Sequence, residues 1–507
     1  MNSLLGQSRS VWMPGSLPSP LPLLSDLEAD VCVVGAGIAG LSTAYLLGRA
    51  GKSVVILDDG PIGGGQTERT TAHLSNAIDD RYVAIERLHG QAGARLAAHS
   101  QTAAIDQIER TVAEEGIACG FQRLDGYLFV PPGVSPEALG HELLAAHRAG
   151  LADVAWVDRA PFADFDTGPC LRFPRQGQFQ PLQYLAGLVQ RITGDGGRLF
   201  SGAHVVEVAG GRPARIRTRA GVCVTAQSVV VATNTPINDR FEIHTKQAPH
   251  MTYAIALGMS PGPLVPALFW DTLDPYHYAR FHQDGPGGET LLIVGGEDHR
   301  TGQEGDAGER YARLETWARE RFPELSEIRA RWSGQVLETF DGLGFIGRNP
   351  LDDANVFIAT GDSGMGMTHG TVAGMLITDL ILGVPNPWAE LYDPARKTLR
   401  ALPRFVADAA NQAWQYKSWL TPGDLESAEG LPRCHGGILR RGLKKVAVYR
   451  DEMGDVHELS AVCPHLGGIV AWNAAEATWD CPCHGSRFDR FGKVISGPAI
   501  SDLSREG

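Results

Sequence analysis

At 507 residues, with a net charge of −13, 43% hydrophobic and 20% charged side chains, the chain is long enough for two or three cores. The acidic balance argues against a nucleic-acid partner, whose phosphates call for a basic face. No stretch reaches the roughly 18 apolar residues of a membrane span, the N-terminus lacks the basic flank and apolar run of a signal peptide, and the eight cysteines are scattered apart from a C-terminal trio, so a cytoplasmic chain without a disulfide framework is expected.

Residues 1–29 read as a Pro- and Ser-rich arm. The stretch ADVCVVGAGIAGLSTAYLLGRAGKSVVILDDG follows. Val31 to Val34 form an apolar run of buried-strand length. Gly35, Gly37 and Gly40 then fall at G-x-G-x-x-G spacing, and Leu41 to Arg49 continue as an apolar-faced helix. The first glycine permits the tight turn, the second lets a pyrophosphate approach, and the third lets helix pack on strand. A second strand, Ser53 to Leu57, ends at Asp58, where this fold puts an acid on a ribose hydroxyl.

The long Gly/Thr loop GPIGGGQTERTTAHLS comes next, where an ordinary NAD domain would continue into a helix. In this the chain resembles the D-amino-acid oxidase (DAO) superfamily of FAD enzymes, among them glycine oxidase, sarcosine oxidase and gamma-glutamylputrescine oxidase. The resemblance implies Thr67, Arg69, Thr70, Thr71 and Val206 as cofactor contacts, with His73 near the ring. Ser228 to Ile237 resembles the strand and turn that close the nucleotide site, with Asn234 in place of the usual glycine; Asn is the next best residue for a left-handed turn. Further on, strand Val356 to Thr360 leads into a turn with Gly361, Gly364 and Gly366, and then a helix starting near Thr368. The family places that helix N-terminus, with its partial positive charge, at the flavin edge, so Met367, Thr368 and His369 are candidates there. The G-x-x-G-x-G spacing of this turn, with no acid-tipped second strand, gives no nicotinamide site.

Residues 30–95, 176–239 and 336–385 are accordingly assigned to an α/β, Rossmann-like FAD-binding domain of DAO/glutathione-reductase type. Residues 96–175 and 240–335 are assigned to an interleaved α+β substrate domain, helical over Leu96 to Glu115 and strand-like at Gly126 to Val130. A hairpin turn is expected at Asp284 to Gly288, between strands Tyr276–His282 and Thr290–Val294. Tyr276, Tyr278 and Arg280 share one strand face, where Arg offers a planar fork to a carboxylate; an ordinary exposed strand face reads equally well. Arg348 is a second candidate for substrate binding.

Residues 386–419 read as helical, 420–432 as a linker, and 433–507 as a small all-β domain. Cys463-x-His465 and Cys481-x-x-His484 each mix a cysteine with a histidine, unlike a zinc finger that pairs its cysteines on one knuckle. This is the order of a Rieske [2Fe–2S] centre, in which two cysteines hold one iron and two histidines the other. Gly497-Pro498-Ala499 resembles the loop that shields such a cluster. Respiratory-type members carry a cysteine at the position of Gly468, bonded to that of Cys483, and a tyrosine at that of Phe488. The staple and one hydrogen bond are thus expected to be missing, with Ser486 left to donate to the cluster. A potential below the top of the Rieske range of about −150 to +300 mV follows.

The combination resembles bacterial FAD-dependent oxidoreductases with a C-terminal Rieske domain. It implies an amine or amino-acid substrate losing a hydride to FAD, and electrons leaving through the cluster to a protein, quinone or oxygen. A reductase, an electron-transfer flavoprotein serving a partner protein, and a structural or redox-sensing cluster are the alternatives.

Overall fold

The computed structural model describes residues 8–13, 17, 21–162, 165–238, 242–260, 265–283, 287–303 and 307–506; residues 284–286 of the expected hairpin turn lie outside these. Its first layer is an eight-stranded sheet. Strand Leu27–Val34 sits at its centre, parallel to Cys223–Val231 on one side and Val54–Leu57 on the other, with Val34 level with both Val231 and Leu57. Both of its faces are covered, which is why Val31 to Val34 read as a continuous apolar run rather than an alternating one. Val31, Val33 and Ile56 face helices Ile38–Arg49 and Gly366–Leu382. Cys32, Val34 and Val55 face the antiparallel pair Val205–Ala209 and Ala214–Thr218.

The two helices cross in close contact. A β-carbon on Gly370 would stand 3.1 Å from the Ala39 nitrogen, and one on Gly374 2.9 Å from the Ser42 carbonyl carbon. That proximity brings both helix N-termini to the same end of the sheet. The second helix begins at Gly366, two residues before the expected start, because Met365 already accepts from the His369 N–H at 2.9 Å.

The second layer is a nine-stranded sheet whose outer run is Leu325–Thr339, Gln247–Met259, Thr290–Arg300, His277–Gln283 and Ala267–Asp271. Tyr278 pairs with Gly295, and a β-carbon there would stand 2.5 Å from the Tyr278 ring, so the missing side chain makes room for the phenol. A kinked helix, Tyr82–Glu115, packs on the helical side; its kink is at Gly90. The 386–419 segment is broken into helices Ala389–Tyr392 and Leu402–Gln415 with 3₁₀ turns Leu399–Ala401 and Tyr416–Trp419, as Pro394 cannot continue a helix.

The C-terminal unit pairs a three-stranded sheet, His435–Arg441, Lys444–Arg450 and Val456–Ser460, with a four-stranded one running from Ala471–Asn473 to Val494–Ser496. Trp479, Phe488, Tyr449 and Leu459 form its core together with Cys463, Cys481 and Cys483. It docks firmly on the first two layers: Gly485 lies against Pro249, and the imidazole of His204 contacts the Ile500 carbonyl at 2.9 Å.

Candidate functional site

A cavity of about 300 Å³ opens where the two helix N-termini meet the second sheet. Gly35 and Gly37 line one end with Asp58, and Thr67, Arg69, Thr70 and Thr71 line its floor. Gly361, Gly364, Gly366, Met367 and Thr368 form the opposite wall, and Tyr276 and Tyr278 reach in from the second sheet. Neither helix is capped by the side chain of its own N-cap residue. Apart from the Ile38 N–H, which Thr67 takes up, first-turn N–H groups are thus available to an anionic ligand.

Asp58 accepts from the Ala36 and Gly60 N–H groups at 2.6 and 2.8 Å. Burial, with Asp59 beside it, pushes its carboxyl up to about 7. Thr67 accepts from the Ile38 N–H at 3.1 Å and so ties the threonine loop to the helix start. His73 touches Thr71 and the Ala279 carbonyl; burial first, then Arg280, lowers it to about 3, which keeps the ring neutral. Asn234 holds φ 62° at the closing turn.

Four expected site residues stand elsewhere. Gly40 is off the cavity wall and packs the helix on the Gly35 carbonyl, which a β-carbon would meet at 1.9 Å. Val206 points away and its neighbour Val205 lines the cavity instead, because successive strand residues face opposite sides. Arg280 lies beneath the threonine loop, only 1% exposed, donating to the Thr71 carbonyl at 2.6 Å, Gln178 at 3.1 Å and the Phe179 carbonyl at 3.2 Å. Alternation fixes its side of the strand but not its depth, and its fork is spent on holding the loop. Arg348 is exposed at a strand end and bonds the Ala354 carbonyl.

Beside Tyr276 a side cavity of about 100 Å³ is walled by Asp79, Asp80, Asp298 and Glu338. The Tyr276 hydroxyl donates to Asp79 at 3.0 Å. Asp80 and Glu338 share Arg404, at 3.2 and 2.9 Å. Burial pushes Asp79 up to about 6 and Asp298 up to about 7.

In the C-terminal unit Cys463 and Cys481 open two hairpins of one design. Cys463 N–H donates to the Gly468 carbonyl and Cys481 N–H to that of Ser486, each at 2.8 Å. Gly467 and Gly485, at φ 75° and 80°, donate back to the two cysteine carbonyls at 3.0 Å; a left-handed residue at each tip favours glycine. The rings of His465 and His484 stand edge to face, 5.0 Å apart. Among the described residues no three His, Cys, Asp or Glu side chains converge on a single metal position; a two-iron centre draws on pairs. Cys483 is a free thiol, and a β-carbon on Gly468 would stand 2.6 Å from its sulfur.

Residues 30–380 match the family described as FAD dependent oxidoreductase, DAO. The chain belongs to that family. Residues 434–505 of this flavoprotein match the Rieske [2Fe-2S] domain. Over 497 residues it is 30% identical to the Rieske 2Fe-2S iron-sulfur protein YhfW of Bacillus subtilis (strain 168), covering 96% of this chain and 95% of that one. It is 28% identical over 385 residues to the gamma-glutamylputrescine oxidoreductase of Escherichia coli (strain K12), covering 72% and 86%. Glycine oxidase from Geobacillus kaustophilus superposes with a TM-score of 0.60 at 19% identity, over 73% of this chain and 99% of that one.

The flavoprotein's cofactors are FAD and a Rieske cluster, and the residues present fit both. Asn234 Nδ2 and His369 Nε2 are buried, belong to residues on the cavity wall, and have no partner in the chain; a polar ligand satisfies such groups. At the hairpins, Cys463, Cys481 and His484 are buried with His465 beside them, and Ser486 hydrogen-bonds the Cys463 sulfur.

Several site residues escape a sequence reading. Val494, Ile495, Ser496, Gly497 and Ala499 of the flavoprotein's Rieske unit line the FAD cavity, as does Gln335. Tyr416 donates to the Leu466 carbonyl at 2.8 Å and Trp419 to that of Gly467 at 3.0 Å, bracing the first hairpin from outside its own domain. Gly497 and Ala499 belong to the loop that resembles a cluster shield, which does not point to the flavin cavity, and no local motif marks the others. Asp79 had only its place just after the threonine loop as a signal.

No helix among the described residues is long and apolar enough to cross a membrane.

Proposed function

We propose that this flavoprotein oxidises a cationic amine at the C–N bond and hands the electrons through its Rieske unit to an external acceptor. One observation carries the reading: the segment Val494–Ala499 that follows the second hairpin is itself part of the FAD cavity wall. When bound, FAD supplies a two-electron hydride acceptor and the [2Fe–2S] centre a one-electron carrier.

The amine half of the reading is supported by charge. Arg69 is the one arginine among the described residues of the cavity wall, and its guanidinium is turned to the Ser333 carbonyl and Glu476. No free fork awaits a substrate carboxylate. Asp79 and Asp298 instead flank Tyr276, and anionic groups in a low-dielectric recess hold a cation strongly. Their role is to bind and orient the ammonium end, while Tyr276 and Tyr278 keep their protons, burial raising both phenols.

Anaerobic mixing with a panel of amines and amino acids tests this. The expected result is bleaching of flavin absorbance followed by bleaching of the cluster, with amines ahead of amino acids. A cluster that stays oxidised beside reduced flavin overturns the electron route.

A further inference from the structure

The flavoprotein body presents an imidazole to the cluster hairpins. His244, in the 3₁₀ turn His244–Lys246, is 2% exposed. Its ring meets that of His465 edge to face at 5.0 Å and that of His484 at 6.4 Å. With the 5.0 Å contact between the two ligand rings, three imidazoles pack as one group, two from the Rieske unit and one from the flavin-bearing part.

The backbone of His244 is anchored. Gln412, on the helix Leu402–Gln415, donates to the carbonyls of His244 and Gln247 at 3.4 and 3.3 Å. The Gln247 side chain in turn accepts from the Thr360 hydroxyl at 3.2 Å, and Thr360 lines the FAD cavity. A second link runs alongside. Gln335 donates from its side chain to the Gly485 carbonyl at 2.9 Å, next to His484 in the chain, and Gln335 also lines the cavity. The histidine side of the cluster site is thereby turned inward and connected to the cavity wall by short bonded contacts.

We propose that His244 is a positioning residue that holds His465 and His484 toward the flavin cavity and forms the contact across which electrons pass between the two halves. The inference rests on the electron route proposed above. Each bound ammonium first loses a proton to solvent, and the neutral amine so formed gives up a hydride, which is two electrons and one proton, to become the iminium. The electrons cross this contact singly to two one-electron acceptors outside the chain, and the proton is released to solvent. A residue packed on metal ligands tunes them and sets their orientation, and changing it typically costs about 10- to 100-fold.

The test uses the holoenzyme without substrate. Flavin is reduced by light with a deazaflavin donor, and the rate at which the cluster is then reduced is followed by absorbance, with EPR of the dithionite-reduced cluster recorded in parallel. His244→Phe, which keeps the ring packing, is expected to slow the transfer about 10- to 100-fold and to shift the g-values. His244→Gln reads the same two quantities should the Phe variant fail to load its cluster. Transfer as fast in the variants as in the wild type overturns the proposal, whatever the EPR shows. Absence of transfer in the wild type itself sinks the electron route, which is a distinguishable failure.

Discussion

Arg69 and Glu476 face each other at 3.6 Å with neither side chain exposed, one from the threonine loop beneath the flavin cavity and the other from the Rieske unit. Ser8 and Ser333 both donate to the Glu476 carboxylate, each at 2.5 Å, and Arg69 donates to the Ser333 carbonyl at 2.6 Å. The two halves are therefore joined by a buried, hydrogen-bonded ion pair rather than by the 420–432 linker alone.

Removing one partner of such a pair leaves the other charge buried and uncompensated, at a cost of about 3–5 kcal/mol. Glu476→Ala is expected to lose stability on that scale and to weaken FAD retention, because Arg69 lies on the cavity wall. Urea unfolding and flavin release on gel filtration check both. A double variant, Arg69→Met with Glu476→Leu, is expected to recover part of the loss.

The carboxylates beside Tyr276 predict a pH dependence. Asp79 at about 6 and Asp298 at about 7 are ionised only above those values, so the pull on an ammonium ion fades as pH falls. The rate of flavin reduction per unit amine should decline as pH drops from about 7 through 6. Asp79→Asn should lower kcat/KM for amines about 10- to 100-fold, the size of a charge-assisted contact. An acid limb unchanged in position and depth in both Asp79→Asn and Asp298→Asn assigns it to another group.

Ser486 bonds the Cys463 sulfur and accepts from the Ala499 N–H at 3.0 Å. A donor to a cluster sulfur favours the reduced, more negative state. Ser486→Ala should lower the midpoint potential; a differential of about 1.4 kcal/mol corresponds to about 59 mV for one electron. Protein-film voltammetry reads it directly, and a rise in potential contradicts the assignment.

Asp341 and Arg396 make a two-point ion pair at 2.9 and 2.7 Å, with side chains 0% and 8% exposed. Burial works to raise the Asp341 carboxyl, but Arg396, with His89 and Thr398, holds it at about 2. Its value lies below that of an unfolded chain, about 3.9. The stabilisation is thus full above about pH 4 and lost as pH falls toward 2. Arg396→Leu should cost about 3–5 kcal/mol at neutral pH and flatten that acid limb in equilibrium unfolding.

Strands, glycine turns and hairpin tips were legible because their constraints are local. Gly35 and Gly37, Gly361 to Thr368, and the Cys–His spacing each encode a backbone shape within a few residues, and all of these stand at the cavity or the hairpins. Readings failed where a side chain's address depended on depth or on the neighbouring residue. Val206 missed by one position in an alternating strand. Arg280, two residues on from Tyr278, is off the cavity wall and donates to the Thr71 carbonyl. Arg348 had no local constraint to place it.

What the sequence by itself determined was the pair of cofactor modules, since a dinucleotide turn and a Cys–His hairpin are short-range patterns that few other chemistries require. Only the tertiary structure decided how they meet. Asp79, His244, Gln335, Tyr416 and Glu476 come from separate strands, turns and loops, and none carries a motif. They act because burial brings them together: a carboxylate, an imidazole or an amide takes its role from the groups facing it and from the water excluded around it, and those neighbours lie far away along the chain.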